Sequence, residues 1–216
     1  MLVDLSQRFE EGMFRAMAFP SVVVERCLKY EEHGANATRL DMVVHIGTHL
    51  DAPIHVLPDG TAMDDVLLER VCGEAVCWGL DMDAEAAITV EQLETCTPAA
   101  RVGDIVCLNT GWDRFFVNDH ERYAAHPFLT VEAAEWIADL GVKLVVLDTP
   151  TPDRPDRLRP PGFRWPVHHI LLGSGVLICE HAANLSATAG RRFKAYAFPL
   201  AIRGSDGSPV RLVGEL

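Results

Sequence analysis

The sequence predicts an α/β fold in which residues 1–216 form one domain. Three observations predict it. Seven short apolar runs have the length and composition of strands, a helix-period segment at 131–140 leads straight into one of them, and no internal repeat or compositional break divides the chain.

The runs VVVERCLK (22–29) and ATRLDMVVH (37–45) come first. In the second, Leu40, Met42 and Val44 fall on one face and Arg39 and Asp41 on the other, the period of a half-buried strand. AVCWGLDM (75–82) is the next strand. Thr89 then opens a helix, because Gln92 three residues on completes a capping box. DIVCLN (104–109) reads as a further strand. A second helix starts near Thr130, where Val131, Ala134, Ile137 and Ala138 make one apolar stripe and Gly141 ends it. KLVVLD (143–148) follows at once. The stretch from Pro150 to Pro166 holds six prolines and predicts a long irregular loop, a type that in compact domains is usually functional or mobile. Pro166 suits the first turn of a helix through PVHHILLG. GVLICE (175–180) and KAYAFPLAI (194–202) read as strands, and GSDGSP (204–209) as a turn between two C-terminal strands.

A formal net charge of −12 and a pI near 5.1 argue against nucleic acid or an anionic membrane surface as partner, since both need basic patches. The start, MLVDLSQRFEEGM, lacks a basic segment followed by an apolar run, so no secretory leader is expected. No apolar stretch approaches the roughly 20 residues that span a bilayer. Six cysteines show no zinc-finger spacing; reduced thiols in a cytoplasmic protein are the expectation.

HIGTHLDAPIH (45–55) packs three histidines and an aspartate into eleven residues. Gly47 and Pro53 argue against a helix there, so a loop leaving strand 37–45 is expected. On extended backbone His49 and Asp51 point to the same side, Gly47 lets the chain fold so that His45 joins them, and Pro53 sets His55 nearby. Two imidazoles and a carboxylate are an N/O ligand set suited to zinc, manganese or iron; without cysteine it reads as a working rather than a structural metal site. A second group comprises His168, His169 and Glu180, of which only one histidine can face a given ion. His33, His120, His126 and His181 show no partner pattern and read as structural or exposed. No Gly-x-Ser-x-Gly elbow, Gly-x-Gly-x-x-Gly turn or phosphate loop is present.

HIGTHLDAPIH resembles the His-x-Gly-Thr-His-x-Asp-x-Pro-x-His signature of the cyclase family of metal-dependent hydrolases, a family that includes bacterial kynurenine formamidase and isatin hydrolase. Every fixed position is matched. Further likeness lies in GDIVCLNTGW (103–112), HPFLTVEAAEWI (126–137), LDTPTPD (147–153), HHILL (168–172), Glu180 with Asn184-Leu185, and DGSPVR (206–211); the first forty residues match least. The resemblance implies a mixed, β-rich domain of the swivelling β/β/α kind. It implies that His45, His49 and Asp51 hold a first metal, that Asp51 bridges to a second held by His168, that Glu180 touches one or both, and that His55 is the general acid/base. It also implies one or two divalent ions per subunit, Zn2+ or Mn2+, and a homodimer or higher homo-oligomer. Where kynurenine formamidases of this type resemble one another in Trp-Pro-Gly-Asp, this chain reads Phe19-Pro20-Ser21-Val22. Phe19 and Trp112 are candidates for an apolar wall against the substrate.

The expected reaction is hydrolysis of a small amide, formamide or lactam, with the metal acidifying water and polarising the carbonyl. A metal-dependent cyclase or dehydratase, and a metal-binding module without turnover, are the alternatives.

Overall fold

A computed structural model describes residues 1–216. Its strands are β1 (Leu2–Asp4), β2 (Val23–Leu28), β3 (Ala37–Asp41), β4 (His49–Asp51), β5 (Cys72–Gly79), β6 (Ala87–Ile88), β7 (Ile105–Asn109), β8 (Phe128–Leu129), β9 (Leu144–Leu147), β10 (Leu177–Glu180), β11 (Arg192–Tyr196), β12 (Gly207–Pro209) and β13 (Val213–Glu215). The α-helices are α1 (Tyr30–His33), α2 (Val90–Glu94), α3 (His120–Ala124), α4 (Val131–Asp139) and α5 (Pro166–Gly173).

Nine strands form one mixed sheet in the order β1-β13-β11-β5-β7-β9-β10-β4-β12. Its middle, β5-β7-β9-β10, is parallel. Strands covered on both faces need apolar residues where they are buried, which is why β9 reads LVVL and β7 opens with IVCL before the half-buried Asn109. The flanking pairs are antiparallel. A core of 40 buried residues runs through this sheet and the helices on it. Thr130 caps α4 by accepting the Ala133 N–H, and α4 sends Ala133, Ala134 and Ile137 into the core. Gly141, at φ +69°, then turns the chain into β9. The Gln92 side-chain oxygen Oε1 accepts the Thr89 N–H at 2.9 Å and closes the start of α2.

The expected strand 37–45 ends at Asp41. It pairs only with β2, in a hairpin whose residues are nearly all exposed. With no covering layer, the alternation at 38–45 has no buried face to specify, and residues 42–48 turn instead. The centre of the histidine motif is likewise not a loop: His49–Asp51 is a buried strand between β10 and β12. Its three residues are too few for periodicity to betray. The run 194–202 stops as a strand at Tyr196, before Pro199, where only an isolated bridge to Val210 remains. GSDGSP is partly strand as well, since Gly207–Pro209 forms the sheet edge beside β4.

Candidate metal centre

β4 lies antiparallel to β10 with His49 opposite Glu180, so these two side chains stand side by side. Alternation keeps Asp51 on the face of His49 and turns Leu50 into the core. α5 packs against β10 and lowers His168 onto the same spot. The turn through Gly47 (φ +67°) brings His45 back over the strand; a Cβ at Gly47 would sit 2.8 Å from the Phe9 ring. Gly207, opposite Asp51 on β12, leaves the room that His45 occupies: a Cβ there would lie 2.7 Å from His45 Cε1.

The donors converge. His49 Nε2 is 3.3 Å from Asp51 Oδ1 and 3.4 Å from Glu180 Oε2. His168 Nε2 is 3.5 Å from Asp51 Oδ2 and 3.3 Å from Glu180 Oε1. His49 Nδ1 is 2.7 Å from the Gly47 carbonyl, so it carries the proton and Nε2 presents a lone pair to the carboxylates. His49 Nε2, Asp51 Oδ2 and Glu180 Oε1 are buried without hydrogen-bond partners. Each such atom costs about 1–3 kcal/mol. His45, His49 and Asp51 bring one ligand atom each within 4.8 Å of one another, as do His49, Glu180 and His181, and Asp51, His55 and His168, so divalent cations among these donors would supply the partners that hydrogen bonding here does not. The residues therefore fit a metal ion.

His45 stands differently. Its Nδ1 is 2.8 Å from Asp51 Oδ1 and its Nε2 is 2.9 Å from Asp206 Oδ2. Burial works against a charge on this ring, but the two carboxylates prevail and raise its pKa to about 9. Burial also opposes the Asp51 charge, and the surrounding imidazoles of His168, His45 and His49 overcome it, holding that carboxyl well below its usual range. His55 is the ring of the group that reaches solvent, its side chain 28% exposed and its Nδ1 3.4 Å from Asp206 Oδ2. His55 lies 4.1 Å from the His45 ring centroid and 5.8 Å from that of His168.

Of the residues named from sequence, His45, His49, Asp51, His55, His168 and Glu180 thus meet in one place. His169 turns outward, its Nδ1 3.0 Å from the Trp165 carbonyl. Phe19 packs on the edge of a second apolar cluster, and Trp112 lies inside it, 1% exposed, with its indole N–H donated to the Tyr123 carbonyl. A fully buried indole offers no face to a substrate.

Three residues escape the sequence reading. Asp206 joins His45 to His55 from the GSDGSP segment. Asp153 accepts His168 Nδ1 at 2.6 Å and the N–H groups of Val167 and His168 at 3.1 Å, so it caps α5 and aims its imidazole together. His181 is buried against His49, with Nδ1 2.9 Å from the Tyr123 hydroxyl. An aspartate just inside a proline-rich loop, thirteen residues before the helix it caps, carries no local signal of that pairing.

The chain is similar in sequence and fold to proteins of a known family. The family model described as "Putative cyclase" matches residues 3–154. A kynurenine formamidase from Salinibacter ruber is 31% identical over 184 residues, covering 85% of this chain and 81% of that one. Isatin hydrolase A from Ralstonia solanacearum superposes with a TM-score of 0.85 over 99% of this chain and 91% of its own, a likeness of fold at 24% identity. A structure described as a potential metal-dependent hydrolase with cyclase activity superposes at 0.80, with 25% identity and coverage of 99% and 96%.

Proposed function

Because the chain belongs to the cyclase family, we propose that it is a metal-dependent hydrolase of non-peptide C–N bonds, acting on a small amide, formamide or lactam. The observation that carries this reading is the set of unpartnered donors on His49, Asp51 and Glu180, closed by His168 and lying beside the partly exposed His55.

A divalent ion held there supplies the positive charge that acidifies water and draws electrons from a substrate carbonyl. His45, His49 and Asp51 would hold one ion. Support for a second comes from the carboxylates: Asp51 turns Oδ1 to His45 and His49 and Oδ2 to His168, and Glu180 divides its oxygens between His49 and His168 in the same way. The nitrogen and oxygen donors suit Zn2+ or Mn2+. His55 accepts a proton from the attacking water as the C–O bond forms, then delivers it to the amide nitrogen as the C–N bond breaks. Asp206, at His55 Nδ1, turns Nε2 toward the reaction. Phe19, partly buried at the edge of the second apolar cluster, is the N-terminal candidate for contact with the substrate.

The reading includes one domain, supported by the pairing of β1 with β13 across the chain's two ends. It includes a homo-oligomer, supported by Val24, Leu28 and Leu40 left exposed on the β2–β3 hairpin. Six free cysteines favour a reducing compartment such as the cytoplasm. The test is an assay of metal-reconstituted protein on N-formylkynurenine, isatin and simple aryl formamides, following formate release and ring opening. Turnover of at least one by the metal-loaded form alone is expected; none in either form would overturn the reading.

A further inference from the structure

The loop between β9 and α5 ends in an aromatic group that the chemistry above does not use. Trp165 directly precedes α5, with a left-handed backbone (φ +52°) uncommon for a bulky residue. The residue remains 37% exposed. It meets the His168 ring edge to face at 5.5 Å, and His168 lies 5.8 Å from His55. Trp165 therefore touches a candidate metal ligand directly, and both it and His55 are partly exposed.

This indole is held from behind. The Arg159 guanidinium lies 3.9 Å from the Trp165 ring centroid and 5.3 Å from that of Phe163. Arg159 is itself fixed by an ion pair with Asp156 and by donating Nε–H to the Arg154 carbonyl at 2.8 Å. Phe163 closes the group, 5.7 Å from Trp165. A tryptophan serving only to pack the start of α5 would bury its ring, as Trp112 does. Here the protein instead clamps an indole in a strained backbone position and leaves part of it bare beside the site, as expected of a preorganised contact surface.

From this arrangement we infer that Trp165, steadied by Arg159, is the surface on which the ring of an aromatic substrate stacks, and that it sets a preference for aryl over alkyl amides. The inference rests on the amide-hydrolase reading for its substrate class. It moves the aromatic wall from Trp112, which is sealed in the core, to the proline-rich loop.

The experiment measures kcat/KM on a formanilide and on an N-alkyl formamide for the metal-loaded wild type, Trp165→Ala and Trp165→Phe, with metal content and Tm checked for each. Trp165→Ala should lower the aryl-to-alkyl ratio about tenfold, mainly through a higher KM for the aryl substrate, and Trp165→Phe should restore most of it. An unchanged ratio in Trp165→Ala overturns the inference. Should the wild type cleave neither amide, calorimetric binding of 2-aminobenzoate decides separately from the activity. Binding about tenfold weaker in Trp165→Ala supports stacking; equal binding, or none to the wild type, overturns it.

Discussion

At the scale of single residues, the site is a set of side chains whose charges make sense only together. Asp51 and Glu180 are buried carboxylates, and each oxygen faces an imidazole at 2.8–3.5 Å. Removing one leaves the others without compensation. His49→Ala and Asp51→Ala should therefore purify with little metal, and near-stoichiometric metal in both by elemental analysis would refute the ligand assignment. Glu180→Gln should lower metal content or activity far more than Glu121→Gln, since Glu121 lies exposed on α3. His55 differs because it is not enclosed. His55→Ala should keep metal while losing about 10²–10⁴-fold in kcat, the usual contribution of a general acid/base. Asp206→Ala should act through His55, lowering kcat with metal retained and adding little to the loss in a double variant with His55→Ala. Additive losses would show that Asp206 works independently. The spacing of His45, His49, Asp51 and His55 exposed these residues in the sequence, because all four come from one short segment. Asp206 and Asp153 did not show themselves, since their partners lie 151 and 15 residues away and only the folded chain joins them.

At the scale of elements, β4, β12 and α5 place the ligands, and each can be disturbed without touching one. The helices that begin at Thr89, Thr130 and Pro166 were legible because capping residues and proline act locally. β4 was not legible: a three-residue strand is defined by its neighbours β10 and β12, and the Gly and Pro around it suggest a loop. Gly207→Ala probes that arrangement, since its Cβ would lie 2.7 Å from His45 Cε1. It should lower metal affinity by displacing His45 and by pressing on the Leu50 carbonyl of β4, 2.9 Å from that Cβ, and wild-type affinity by titration would show that the site does not need that space. Asp153→Ala removes the cap of α5 and the partner of His168 Nδ1 in one step. Losses of roughly 1 kcal/mol in stability and 10–100-fold in metal affinity are expected. A stability loss with unchanged affinity would leave Asp153 a helix cap only.

At the scale of the molecule, the site lies where the 40-residue core meets the smaller cluster of Met13, Val22, Ile46, Trp112, Phe116 and Tyr123, the boundary marked by His181 beside His49 and Tyr123. Two buried groups outside the site give stability a pH dependence of its own. Burial pushes His126, whose Nδ1 lies 2.9 Å from the Pro127 carbonyl, down to about 4. Its unfolded value is about 6.5, so between these the unfolded chain binds more protons and stability falls as pH drops. Burial pushes Asp148 up to about 7, against hydrogen bonds from Thr110 and Trp112. From about pH 4 to 7 it is the folded chain that holds the extra proton, so this group lowers stability as pH rises. The two slopes oppose each other over most of the acid range, and the wild-type curve conceals both. Substitution separates them. In chelator-treated protein, where the ligands titrate alike in both forms, His126→Asn should lose the acid-side slope and become more stable relative to wild type by roughly 2 kcal/mol between pH 6.5 and 4.5. Thermal melts across that window measure the difference, and parallel curves for the two proteins would show that His126 is not kept neutral by the fold.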